Sequence, residues 1–449
     1  MALSSPGIGS GLDVRSIVSQ LVALERRPIQ QLQTQKTKLD TQLSSFGLLQ
    51  SYVSNLQSIA GQIGKADFWS RVSANSSDAS AVSVVAPAAS SSASYTINVA
   101  NLAAAQSLST APGAITDAAD IGSGTLTFTR GGTPVALAIA PGTSLVALRD
   151  QINAGATGAK AAIVQDSGGP RLVLTASETG VANAVSVAVS GATGQLAALS
   201  YPGSMGQDRP AADASFSING LPLTSASNKL TNVVDGLTLT LSKTTTTPVT
   251  VTIGPDTAAL RKGITDFVSA YNEINKYLSA ETKYDDAKKV AGKLQGDRAA
   301  VGLQGRLRSL LQEPSAASSV YGRLSDLGLE MQRDGSIKVN DSKLDAALAS
   351  PSQVAQAFSS LTTGFGQRFK ALTDGVVGVD GTLTSRTAGL RESIKRNEKD
   401  QQRQEDRVAR VQTRLERQYS ALDTNLNRLN GLGSYVQQQI TNWNKSGNN

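Results

Sequence analysis

VARVQTRLERQYSALDTNLNRLNGLGSYVQQQITNW, residues 408–443, places Val408, Leu415, Leu422, Leu429, Val436 and Trp443 seven residues apart without a miss. Val411, Tyr419, Leu426, Leu432 and Ile440 lie on the adjoining edge. A seven-residue apolar repeat predicts one long amphipathic helix with a narrow seam suited to a partner helix. The other end of the chain answers it. Val14, Ile17, Val18, Leu21 and Leu24 follow helical spacing, and Leu32, Leu39, Phe46 and Val53 then recur every seven residues. Pro28 stands where the stripe shifts, and an interior proline removes a helix hydrogen bond, so two successive helices are expected rather than one rod.

Two ordinary amphipathic helices buried in one globule would show similar spacing. Against that reading, Gln35, Gln42, Gln418, Asn425 and Gln439 occupy core-edge positions and the flanks are densely charged. A seam this polar suits contact with partner helices. The residues assigned to such an interface are Val14, Ile17, Leu21, Leu32, Leu39 and Phe46 at the N-terminal end, with Val408, Leu415, Leu422, Leu429, Val436 and Trp443 at the C-terminal end.

Between the ends the chain changes character. Residues 71–256 are rich in Ser, Thr, Val, Ala and Gly, and alternation predicts strands at 81–85, 95–99, 125–129, 171–175, 215–218, 237–241 and 249–253. Asn219-Gly220, Asp235-Gly236, Gly131-Gly132 and Gly168-Gly169-Pro170 supply turns. One helix is expected at 144–154. Loop-rich stretches near Pro112-Gly113 and at 201–210 bracket about ninety residues, which suggests one β domain inserted into another. Helical period returns after Thr257, and residues 331–340 read as a hairpin turning at Asp334-Gly335, followed by a helix at 341–348.

The fold class expected is therefore α+β and multidomain, with helical, coiled-coil-like terminal legs forming one body and nested β-rich heads inserted between them. The boundaries expected are a mobile N-terminal leg at 1–40, helical body at 41–70 and 257–404, and a mobile C-terminal leg at 405–449. The outer β head takes 71–110 and 209–256, and the inner head 111–208.

Composition removes most chemistry. The 449 residues include no cysteine and no histidine, so there is no thiolate nucleophile, imidazole base, disulfide or zinc site built on those ligands. The net charge of +7 is spread over helical stretches with interleaved acids rather than gathered in an aromatic-laced patch, which argues against nucleic acid. No apolar run reaches the ~20 residues of a membrane helix, and the opening residues lack the features of a cleaved signal peptide. Gly7, Gly9 and Gly11 fail the dinucleotide fingerprint because position 12 is leucine. They read as a lead-in to a helix capped by Ser10 or Asp13. Gly64-Lys65 and Gly292-Lys293 lack the rest of a phosphate loop. Glu330, Gln332, Asp334 and Asp341 fit a hairpin better than a calcium loop, whose closing residue would be glutamate. The acid pairs Asp285-Asp286 and Glu405-Asp406 lie in strongly charged contexts where shared-proton chemistry is not expected. No catalytic residue, cofactor or metal is assigned.

Gly7-Ile8-Gly9-Ser10-Gly11-Leu12-Asp13-Val14, continuing through Ile17-Val18, Leu21-Val22 and Glu25-Arg26-Arg27-Pro28-Ile29, resembles the N-terminus of the flagellar filament cap family, hook-associated protein 2. Tyr95-Thr96-Ile97-Asn98-Val99 with Leu102-Ala103, Ser215-Phe216-Ser217-Ile218-Asn219-Gly220, Asp334-Gly335-Ser336, Ser342-Lys343-Leu344-Asp345 and Tyr419-Ser420-Ala421-Leu422-Asp423 are similar to later parts of that family. The resemblance implies a homo-oligomeric ring at the distal tip of the bacterial flagellum, outside the cell. There it would promote folding and insertion of exported flagellin and prevent its loss. It also implies export without a cleaved signal peptide and a flagellar export chaperone at the C-terminal helix. The alternatives are a surface adhesin or another flagellar rod or junction component.

Overall fold

The computed structural model describes residues 13–446 apart from Asp235 and Lys288. Residues 7–12, the alternative cap Ser10 and the turn position Asp235 lie outside the described residues. The described residues open with α1 (Val14–Glu25), α2 (Arg27–Ile63) and α3 (Ala66–Trp69). Strands β1 (Val72–Ser76), β2 (Val82–Val85), β3 (Ala93–Asn101), β4 (Ser107–Ser109), β5 (Gly124–Arg130) and β6 (Thr133–Ile139) follow. Then come α4 (Leu145–Ala154), β7 (Ala159–Asp166), β8 (Gly169–Ala176), β9 (Val185–Ser190), β10 (Gly206–Arg209) and β11 (Ala214–Ile218). Strands β12 (Leu221–Ser225), β13 (Lys229–Thr231), β14 (Thr238–Leu241) and β15 (Val249–Pro255) complete the β-rich part. The rest is mostly helical: α5 (Thr257–Thr282), α6 (Arg298–Gln312), α7 (Asp341–Leu348), α8 (Pro351–Ser359), α9 (Phe365–Val377) and α10 (Thr382–Ser446), with short hairpins between α5 and α6 and before α7.

Two compact units result: residues 1–69 with 261–449, and residues 70–260. In the first, α1 and α2 pack with α9 and α10. Asp13 caps α1, its carboxylate accepting the Ser16 amide at 2.9 Å. Pro28 sits in the first turn of α2, where its missing N–H costs nothing, and α1 and α2 part at Arg26. Phe46, Leu49, Val53, Leu56, Ala60 and Ile63 then alternate by three and four residues and are fully buried. Against this stripe pack α9 and the start of α10, through residues such as Phe365, Phe369, Val376, Leu383 and Leu390. Phe267 of α5 meets Phe369 edge to face, centroids 5.0 Å apart. The end of α2 touches the start of α9 backbone to backbone, because a Cβ at Gly366 would lie 2.8 Å from Gly64 Cα.

The hairpin at Asp334-Gly335 is held by α5. Ile337 donates its amide to Asn272 at 2.7 Å, Asn272 donates back to the Ile337 carbonyl at 2.8 Å, and the Tyr271 hydroxyl donates to the Gly335 carbonyl at 3.0 Å. Tyr271 is fully buried, and that burial pushes its phenol pKa up to about 12. A phenol that ionises near 10 in the unfolded chain and near 12 when folded contributes stability that is intact below pH ~10 and lost as pH rises toward 12. Alkaline titration should therefore destabilise the helical unit by about 2 kcal/mol across that window, and Tyr271→Phe should flatten the loss. Denaturant midpoints at pH 9 and pH 11.5 check it; equal pH slopes in both proteins would contradict it.

The second unit holds two hydrophobic cores. One gathers Val82, Ile97, Val99, Phe216, Leu239 and Val251 between a five-stranded antiparallel sheet, order β1-β15-β3-β11-β12, and a three-stranded one, order β13-β14-β2. The other gathers Leu126, Phe128, Leu148, Ile152, Leu172, Leu174 and Leu196 between sheets ordered β10-β4-β8-β7 and β6-β5-β9, with α4 packed on β7. Ser144 caps α4, accepting the Ala147 amide at 3.1 Å. Asn219 and Gly220, with φ of 49° and 83°, form the two-residue turn of the β11–β12 hairpin. Sequence spacing put residues 71–110 in the outer head, but β4 pairs with β8 and β10, so Leu108 belongs to the inner core.

Candidate assembly interface

The leg is built from α1, the first turns of α2, and α10. Val14, Val18, Val22 and Ile29 bury one side against Val408, with Leu415 and Tyr419 partly buried beside them. Farther along, Asn397 of α10 is buried, donates to Gln35 Oε1 at 3.5 Å and accepts from Gln401 at 2.6 Å. Lys36 bridges Asp40 at 2.9 Å and Glu398 at 3.3 Å, and these partners hold its ammonium pKa above the usual value. Arg407 lies 3.7 Å from Glu25. Polar groups inside a helix pair fix its register at some cost in stability.

This pairing divides the twelve interface residues assigned from sequence. Val14 and Val408 meet inside the chain, with Leu415 at their edge. Phe46 is fully buried in the core of the helical unit, so it is not available to another molecule, and its assignment to the interface is corrected here. Ile17, Leu32 and Leu39 are half-buried. Leu21 is exposed, as are Leu422, Leu429, Val436 and Trp443, with Trp443 reaching 80%.

The reason lies in helical geometry. A straight α-helix turns about 20° short of two full turns in seven residues, so a strict seven-residue stripe drifts roughly 100° between Val408 and Trp443. The face covered by α1 instead runs through Val408, Leu415 and Tyr419, while Leu422 is 45% exposed. Val18, Val22 and Ile29 were not assigned from sequence, although Val14, Val18 and Val22 recur every four residues and that spacing was there to be read.

α1 begins at Val14, and α10 continues beyond the level where they part. Leu422, Leu429, Leu432, Tyr435, Val436, Ile440 and Trp443 are all exposed there. Together they span roughly 140° of the helix circumference, wider than one two-helix seam requires. Charge disappears over the same stretch, where only Asp423 and Arg428 are ionic between residues 418 and 443. Beside α1, an open groove of ≈ 710 Å³ has Val14, Val18 and Val22 on its floor and Arg15, Arg26 and Glu416 at its rim. The distal part of α10 thus presents apolar surface with few charges.

Residues 211–431 match the family described as Flagellar hook-associated protein 2 C-terminus, residues 10–106 its N-terminus, and residues 125–178 the Flagellin hook IN motif. The chain is 30% identical to the A-type flagellar hook-associated protein 2 of Pseudomonas aeruginosa, over 97% of this chain and 96% of that one. It is 29% identical to the flagellar hook-associated protein 2 of Escherichia coli strain K12, with 98% of each covered. The crystal structure of the Escherichia coli flagellar cap protein FliD, domains D1-D2-D3, superposes with a TM-score of 0.61 at 29% identity, covering 77% of this chain and 99% of that one. The match runs from the leg helices through both β cores to the distal part of α10, and on it the chain belongs to the flagellar hook-associated protein 2 family.

Proposed function

We propose that this chain is the structural cap of a bacterial flagellar filament and not an enzyme. Several copies form a ring at the distal tip, outside the cell, promote the folding and insertion of exported flagellin, and prevent its loss. The observation that carries the reading is the uncovered apolar face of α10 from Leu422 to Trp443, joined to a stretch from Val408 to Tyr419 that packs on α1. Apolar surface of this breadth on a helix with almost no charge is stabilised by contact with more than one neighbouring helix. The filament end and adjacent copies supply such helices. The legs order on that contact, and before export a chaperone covers the same face of α10. Ile17 and Leu21 on α1 extend the contact.

Electron microscopy of filament tips with and without the protein tests this. Without it, flagellin should accumulate in the medium and filaments should stay short; purified protein added back should appear as a plate on the tips and restore growth. Filaments that elongate normally in its absence would overturn the reading.

A further inference from the structure

The inner β segment leaves the outer one after β3 and returns before β11, and the two crossings run side by side. Ala104 and Ala212 bridge them, N–H to carbonyl, at 2.8 and 3.1 Å. Two adjacent crossings alone make a hinge, because rotation about their common line breaks no other contact. A third attachment is present. The loop between β8 and β9 belongs wholly to the inner segment, yet it bonds once to the β12–β13 loop of the outer segment and twice to crossing residues. Thr179 Oγ1 donates to the Ala226 carbonyl at 2.6 Å, Gly180 N–H to the Ala104 carbonyl at 3.2 Å, and Val181 N–H to the Asp213 carboxylate at 2.8 Å. Asn183 staples the loop by donating to the Thr179 carbonyl at 2.8 Å. On the outer side, Asn228 grips the crossing at both groups of Ala103, accepting at 2.7 Å and donating at 2.8 Å.

Gly180 makes the approach possible. Its φ of 100° and ψ of 150° fall where side-chain-bearing residues do not go, and an added Cβ would lie 2.4 Å from Ala226 Cβ and 2.6 Å from its Cα. Both the backbone conformation and the lack of space demand glycine there. We propose that the loop at 177–183 is a latch, keyed by Gly180, which locks the inner β segment onto the outer one so that load on the inner segment is carried to the outer one without hinge rotation. The latch is independent of what the leg binds.

The chain has no cysteine, so spin labels at Ala138→Cys in the inner segment and Thr224→Cys in the outer one are unique. Pulsed dipolar spectroscopy on the full-length protein should give one narrow distance distribution, and Gly180→Val should broaden it at least two-fold. Gly191→Val is the control: it also sits at positive φ, 62°, but nothing lies within 4 Å of its Cβ position, so the distribution should stay narrow. If Gly180→Val does not fold, the double variant Thr179→Val/Asp213→Ala removes two latch bonds without backbone strain and should broaden the distribution likewise. A broad distribution in the unaltered chain overturns the latch, and so does a narrow one in the folded variants.

Discussion

Leu422→Asp leaves a folded monomer that no longer assembles, whereas Arg414→Ala on the same helix behaves almost as the parent chain. Leu422 is 45% exposed in the monomer, so a carboxylate there stays hydrated and intramolecular cost is confined to the lower helix propensity of Asp, about 0.5 kcal/mol. Enclosed by partner helices, the same carboxylate is an unpaired charge in an apolar contact and costs several kcal/mol of assembly. Arg414 is exposed and lies off the stripe, where loss of a solvated charge is worth under about 1 kcal/mol. Cells carrying Leu422→Asp should release flagellin as loose monomer and build few filaments. Equal swimming by the two variants would sink the interface, and unfolding of the Leu422→Asp monomer would return α10 to the status of a core helix.

Much of the fold was legible because its strongest signals are periodic. The division into α1 and α2 near Pro28, the helix through residues 408–443, the α4 helix and most strands with Val, Ile, Leu and Phe alternation followed from spacing and turn residues alone. Strands β6, β7 and β12 are weakly signalled because TPVALAI, AKAAIVQD and LPLTS mix their apolar residues with alanine, lysine or proline, which carry little strand preference, whereas β9, VSVAVS, alternates Val185, Val187 and Val189 and its spacing was legible though unassigned. These strands form by pairing with neighbours, as β6 and β9 do on either side of β5. That information is nonlocal, and no window of sequence holds it.

The interface was legible in kind and misplaced in part, for one reason. A heptad stripe says that a seam exists but not which stretch is closed inside the chain. The seam closes where α1 supplies Val14, Val18 and Val22, and the α10 residues past the level of Val14 stand exposed. Polar residues in the seam do not by themselves mark an external partner. Asn397 with Gln35 and Gln401 instead satisfy one another within the chain. The better pointer to an outside partner was the loss of charge after residue 418, a change in composition rather than in period.

Phe46 carries the sharpest test of that division. It occupies one position of the N-terminal stripe, but its ring is fully buried, lies 5.9 Å from the Arg386 guanidinium and sits among the α2 residues facing α9 and α10. Phe46→Ala should therefore remove about 3 to 5 kcal/mol from the helical unit, through lost burial and the cavity left behind. For a unit of this size that lowers its midpoint by about 10 °C. Trp69, buried against Phe358 at 5.3 Å, reports the transition, since the other tryptophan, Trp443, is exposed. The β unit has separate cores and should keep its strand signal through that transition. Leu48→Ala two residues away, at a site 45% exposed, should move the midpoint by little, about 2 °C or less. An unchanged Trp69 midpoint in Phe46→Ala together with failed assembly would place Phe46 back in the interface, because a residue that serves only the core cannot lose assembly without first losing stability.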